Sequence, residues 1–204
     1  TIADEDFSLR QLLDELCSMM QTQAQAREIV LCCETNFKHS DLKGDAIRLK
    51  QVLMNLISNA IKFTPKGGKV SLEVSRLKSR GKKSWLRFVV ADTGIGMDEE
   101  ALAKLYTPFE QADASIAQKY GGTGLGMSIT QNLVALMGGY IDVKSKPDEG
   151  TIFTVELPFE ESDIDLQPIQ EGVLESLEVL VAGDEQDICE HTVLLLEKMK
   201  IRAQ

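Results

Sequence analysis

Residues 45–64 read DAIRLKQVLMNLISNAIKFT, and the alternation of apolar and polar residues in this stretch decides the fold. Asp45 can cap a helix running from Ala46 to Phe63, which Thr64-Pro65 and the glycines Gly67-Gly68 then stop. Leu49, Val52, Leu53, Leu56, Ile57 and Ala60 recur at helical spacing and make one continuous core stripe. Asn55, Asn59 and Lys62 fall at i, i+4 and i+7 on a different face, so two carboxamides and an ammonium point the same way. Carboxamide oxygens are neutral hard ligands suited to Mg²⁺, and a lysine beside them can hold phosphate as a point charge. A solvated polar face is the other reading of the same three residues.

Upstream, Leu9, Leu12, Leu13, Leu16, Met19 and Met20 predict an amphipathic helix that opens with a capping box, Ser8 and Gln11. A strand over Ile29 to Cys33 and a polar loop reaching Asp45 follow. Downstream, Val70, Leu72 and Val74 alternate with polar residues, and Leu86, Phe88 and Val90 repeat the pattern after a basic turn from Lys78 to Lys83, which predicts a hairpin. Asp98-Glu99-Glu100 suits the positive start of a short helix ending near Leu105. Thr107 to Gly122 lacks apolar periodicity and is expected to be mobile. A helix from Thr123 to Met137 closes on Gly138-Gly139, and strands Tyr140 to Lys144 and Thr151 to Leu157 complete the pattern. Few strand-helix-strand crossovers occur, so the expected class is α+β: a two-layer α/β sandwich with a mixed, mainly antiparallel sheet and about three helices on one face.

The 204 residues suffice for one full domain and a remnant, with a hydrophobic share of 43% and a charged share of 26%, as in soluble globular proteins. A formal net charge of −10 repels nucleic acid and anionic membranes, so any polyanion must be held in a local pocket. That favours a small phosphorylated ligand and excludes nucleic acid as a partner. The four cysteines, Cys17, Cys32, Cys33 and Cys189, lack zinc spacing, and they read as reduced, buried thiols of a cytoplasmic fragment. No apolar run approaches the ~20 residues of a membrane helix, so an anchor of a larger parent would lie outside this segment.

Two further stretches can carry chemistry. Asp92-Thr93-Gly94-Ile95-Gly96 sets a carboxylate at a strand end, able to accept a hydrogen bond from an exocyclic amine such as that of adenine. Its glycines let backbone approach a flat ligand, although a plain turn has the same composition. Gly121-Gly122-Thr123-Gly124-Leu125-Gly126 opens the long helix, where unpaired N–H groups and the positive dipole end can hold phosphate. Gly121 to Ser128 has P-loop spacing, but Met127 stands where the lysine must be, so the P-loop reading fails.

Taken together and in order, DAIRLKQVLMNLISNAIKFT, ADTGIGM, LYTPFEQAD, GGTGLGMSI and GTIFTVELP resemble the boxes of the histidine kinase catalytic domain, in the GHKL superfamily of ATP binders. The resemblance runs roughly from Phe7 to Pro158 and implies a Bergerat-type ATP-binding fold in a hybrid two-component sensor kinase of bacterial type. It implies that Asn59 and Asn55 bind Mg²⁺ and phosphates, that Lys62 reaches the phosphate chain, and that Asp92 recognises the adenine amine. Gly94, Gly96 and Met97 would line the adenine pocket. Gly122, Thr123, Gly124, Leu125 and Gly126 would contact the phosphates, and Phe109 would anchor an ATP lid carrying Lys119.

Hydrolysing members of the superfamily carry a glutamate four positions before the magnesium-binding asparagine; here that position is Asn55. An amide cannot take a proton from water, whereas a neutral imidazole acceptor needs no such base, so the chemistry points to phosphoryl transfer. Many relatives have a lid arginine where this chain has Gln118 beside Lys119, which keeps open a second reading, a nucleotide-binding pseudokinase or regulatory module without transfer. The family's phosphoacceptor histidine lies in an upstream signature that this sequence lacks, and His39 and His191 read as structural or solvated. The implied partners are therefore ATP, a histidine-bearing dimerisation domain of a homodimeric parent, and a response regulator or receiver domain. The fragment alone is expected to be a monomer unable to autophosphorylate.

The expected organisation is a catalytic domain over 1–159, an acidic linker over 160–175 and the start of a receiver-like domain over 176–204. In that last part Leu177 to Ala182 reads as a strand and Ile188 to Met199 as a helix, with Gly183-Asp184 where a receiver has an acidic pair.

Overall fold

The computed structural model describes residues 3–36, 41–77, 83–107 and 125–162, and the backbone of 178–179 and 202–203. In chain order the elements of the first part are β1 (Glu5–Ser8), α1 (Leu9–Ala26), β2 (Val30–Asn36), β3 (Asp41–Gly44), α2 (Ala46–Phe63), β4 (Lys69–Arg76) and β5 (Lys83–Asp92). They continue with α3 (Glu99–Lys104), α4 (Gly126–Leu136), β6 (Tyr140–Lys146) and β7 (Gly150–Glu161).

The alternation along β4 and β5 turns Val70, Leu72, Val74, Leu86, Phe88 and Val90 to one side, where all are buried. These strands form the expected antiparallel pair, in register from Val70 opposite Asp92 to Arg76 opposite Leu86. β7 lies against β5 along its whole length, and the sheet runs β1-β3-β7-β5-β4-β2 with β6 beside β7. Every described pairing in this sheet is antiparallel except that of β2 with β4. The helices cover the apolar face. Leu49, Leu53, Leu56 and Ile57 of α2 are fully buried there with Phe88, and each such side chain contributes roughly 1.5–3 kcal/mol by leaving water. The result is the expected mixed α+β sandwich, with four helices among the described residues; the fourth, short α3, buries nothing.

Both long helices begin as their caps dictate. Ser8 accepts from Gln11 N at 3.4 Å, and Asp45 accepts from Arg48 N at 2.9 Å. Asp45 also takes Ala3 N at 2.9 Å, tying the chain start to α2. At their other ends Arg27 donates to the carbonyls of Ile61 and Lys62 at 3.1 and 2.8 Å, so α1 and α2 finish side by side.

Several expectations shift. Met19, assigned to the core stripe of α1, is 43% exposed, because Leu9, Leu12, Leu13, Leu16, Met20 and Ala24 already fill the buried side. The loop before Asp45 contains a strand, β3, which pairs with β1 and with the end of β7. β7 accordingly continues to Glu161, past Leu157 and into the stretch expected as linker. The cysteines differ as well: Cys17 of α1 and Cys33 of β2 are joined in a disulfide, Cys33 exposed and Cys17 half-buried, while Cys32 is free. α1 passes over β2 and brings together two residues whose spacing in sequence carries no motif.

The chain divides into two units, Thr1–Ser162 and Asp163–Gln204. In the second, β8 (Glu178–Val179), inside the strand expected over Leu177 to Ala182, pairs in parallel with β9 (Arg202–Ala203). The helix expected over Ile188 to Met199 and Gly183-Asp184 lie outside the described residues. Among the described residues no helix is long and apolar enough to cross a membrane.

Candidate functional site

The polar face of α2 meets the start of α4. Asn55 Nδ2 donates to Thr130 Oγ1 at 2.7 Å, and the carboxamides of Asn55 and Asn59 flank the Met127 thioether, Nδ2 to Sδ 3.8 and 3.6 Å. The two helices approach closely here: a Cβ on Gly126 would stand 2.7 Å from Asn55 Oδ1, so a side chain there would have to displace the carboxamide. α4 opens at Leu125, which makes no side-chain cap hydrogen bond, and the first N–H groups of any helix lack partners within it.

Lys62, one turn beyond Asn59, holds its ammonium 4.8 Å from the centroid of the Phe63 ring. Its pKa is lowered, chiefly by desolvation and further by the charge of Arg27. Two cations gathered at the end of α2 favour an anionic ligand, which would relieve both effects.

The loop after β5 is fastened to that same end of α2. Ile95 N donates to the Phe63 carbonyl at 3.2 Å, and a Cβ on Gly94 would meet that oxygen at 2.6 Å. Asp92 is half-buried, with Oδ1 accepting from Gly94 N at 2.8 Å. Burial raises the Asp92 pKa, against the lowering effect of backbone hydrogen bonds from Gly94 and Thr151. Gly96 has φ +64°, and Met97 N donates to Ser145 Oγ at 2.8 Å, which pins the loop to β6. Packing against protein backbone by itself requires the glycines of this loop, whether or not they also line a ligand pocket.

Asn55 and Phe63 are two turns apart on one helix, on the order of 12 Å at ~1.5 Å per residue. The Asp92 loop, fastened at Phe63, thus lies about 6 Å along the helix axis from Asn59 and about 12 Å from Asn55. Two carboxamide oxygens fit Mg²⁺ only when phosphate oxygens and water complete its shell, since no cluster of three or more His, Cys, Asp or Glu occurs among the described residues. Phe109, Lys119, Gly122, Thr123 and Gly124 lie outside the described residues, as do Gln118, His39 and His191.

A cavity of about 230 Å³ lined by Asp4, Lys43, Asp45, Lys83, Phe159 and Glu160, among others, contains none of the site residues. Its mixture of lysines and carboxylates favours no one ligand charge. We place the site by the convergence of α2, α4 and the Asp92 loop, where the polar groups lie. Sequence reasoning missed Thr130; its position one turn after Gly126, on the same face of α4, was the available signal.

The chain has counterparts among known proteins. Residues 44–161 match the family of histidine kinase-, DNA gyrase B-, and HSP90-like ATPases. The circadian input-output histidine kinase CikA of Synechococcus elongatus is 42% identical over 154 residues, 74% of this chain and 20% of CikA. Hybrid signal transduction histidine kinase K of Dictyostelium discoideum is 38% identical over 213 residues, 97% of this chain and 18% of that protein. The chain thus spans about a fifth of the length of these relatives. Full-length ShkA, solved in complex with AMPPNP, superposes with a TM-score of 0.68 at 29% identity, covering 100% of this chain and 40% of ShkA. With α2, α4 and the Asp92 loop all inside the matched residues, the chain belongs to the histidine kinase-, DNA gyrase B- and HSP90-like ATPase family, as a catalytic domain of the histidine kinase kind.

Proposed function

We propose that this chain binds Mg²⁺-ATP and catalyses transfer of the γ-phosphoryl group to a histidine on a separate dimerisation segment of its parent, as a step of a phosphorelay. The observation that carries the reading is the bond from Asn55 to Thr130 beside Asn59: amides hold this position, and an amide is no base for water. The family match and the AMPPNP complex of ShkA support a nucleotide as the ligand.

In this reading Asp92 accepts from the adenine amine, the opening N–H groups of α4 take phosphate oxygens, and Lys62 adds positive charge. Asn59 and Asn55 hold Mg²⁺, which when bound neutralises phosphate charge. The acceptor imidazole nitrogen attacks the γ-phosphorus, the bond to the bridging β-γ oxygen breaks, ADP leaves, and the imidazole proton passes to solvent. A response regulator or receiver domain then takes the phosphoryl group, and the fragment alone is a monomer without autophosphorylation.

The test supplies the histidine-bearing segment in trans with γ-labelled ATP. An acid-labile, alkali-stable label on that segment is expected, and it should vanish in Asn59→Ala. Nucleotide binding without label would favour the regulatory module instead.

A further inference from the structure

Thr130 is 1% exposed, one helical turn beyond Gly126 in α4. A buried hydroxyl needs a partner, and valine would fill the same space without that requirement. The partner is Asn55, whose Nδ2 lies 2.7 Å from Thr130 Oγ1.

A hydroxyl both donates and accepts, so this bond alone would leave the two ends of the carboxamide interchangeable. Met127 removes the ambiguity. Its thioether only accepts, and it lies 3.8 Å from the same Nδ2, so the –NH₂ end belongs on this side. Oδ1 then lies against the first turn of α4, where a Cβ on Gly126 would come within 2.7 Å of it. That turn is where phosphates and their cation are expected.

We propose that Thr130 is a positioning residue for the phosphate end of the site. Its hydroxyl, assisted by the Met127 thioether, holds the Asn55 carboxamide in the one orientation that presents oxygen to a hard cation. Reversed, the amide would present –NH₂ and repel the metal. The inference rests on the nucleotide-site reading above and gives a role to a buried hydroxyl that acts through Asn55.

The test compares Thr130→Val, Thr130→Ser and the wild type by calorimetry with Mg²⁺-ATP and with ADP in chelator. Thr130→Val should bind Mg²⁺-ATP roughly 5- to 30-fold more weakly, the size of one hydrogen bond, with metal-free ADP unchanged within about twofold. Thr130→Ser should restore wild-type affinity, since it keeps the hydroxyl. Unchanged Mg²⁺-ATP binding in Thr130→Val overturns the proposal, as does an equal loss for both ligands, which would mark a merely structural role. A wild type that binds neither nucleotide overturns the nucleotide reading and this inference with it. If Thr130→Val does not fold, proton exchange of the Asn55 side-chain amide in the wild type and Thr130→Ser decides. One slowed proton is expected, and two freely exchanging protons overturn the proposal.

Discussion

Gly96 and Lys146 approach so closely that a Cβ on the glycine would lie 1.8 Å from the lysine carbonyl oxygen, at a glycine φ of +64°. The loop carrying Asp92 is thereby clamped to the turn between β6 and β7, and Asp148 N closes the clamp by donating to the Ile95 carbonyl at 2.8 Å. Backbone cannot yield as a flexible side chain does. Gly96→Ala should therefore cost more than about 2 kcal/mol in urea denaturation and weaken nucleotide binding. Gly67 is the control: its φ is +82° but nothing lies within 4 Å of a Cβ there, so Gly67→Ala should cost only about 1 kcal/mol. Equal losses for the two would contradict the clamp.

Asp92 links the site to pH. Its pKa is raised by burial, so the charged carboxylate costs the apoprotein stability. As pH falls through the raised folded value towards the ordinary value of ~3.9, the folded state takes up a proton ahead of the unfolded chain and apoprotein stability gains. Nucleotide affinity should move the other way over the same window, because the protonated acid is a poorer acceptor for an amine. Asp92→Asn should abolish both effects and weaken ATP binding roughly 10- to 100-fold, the worth of a hydrogen bond to a charged group. Calorimetry across the window, with the variant correcting for titration of ATP itself, checks this; affinity that rises with acidification would contradict it.

Tyr106 offers a test of packing. Its hydroxyl is buried without a hydrogen-bond partner among the described residues, and its pKa is pushed up to about 12 by burial and by the negative charge of Asp142. Tyr106→Phe should leave stability at neutral pH unchanged or raise it by up to about 1 kcal/mol, since a phenyl ring carries no polar atom to desolvate. The tyrosine's contribution is fully present below ~10, where the unfolded residue ionises, and is lost as pH rises towards the folded value. The variant should therefore lose less stability over that alkaline range. A marked loss at neutral pH would mean that the hydroxyl has a partner.

How much of this was legible in the sequence depended on how local each signal was. α2 could be read to the residue, because its cap Asp45, its apolar stripe and its stop at Thr64 all lie within the helix and its ends. β1 and β3 could not: each contributes little to the core beyond Phe7 and Leu42, so neither shows alternation, and they exist as strands because of each other and β7. The same holds for Cys17 and Cys33, which meet only once α1 has crossed β2. In the site, residue types and periodicity marked Asn55 and Asn59. What holds Asn55 in place is a hydroxyl on another helix, and only the packing of α4 on α2 brings it there.

The central claim is that Asn55 and Asn59, facing the start of α4, form the metal-phosphate end of a nucleotide site whose base end is Asp92. Calorimetric titration of Mg²⁺-ATP into the wild type and Asn59→Ala tests it most directly. One nucleotide should bind per wild-type chain, and the variant should bind at least about tenfold more weakly, a difference of ~1.4 kcal/mol or more. A wild type that gives no binding heat, or a variant that binds as tightly as the wild type, would contradict it.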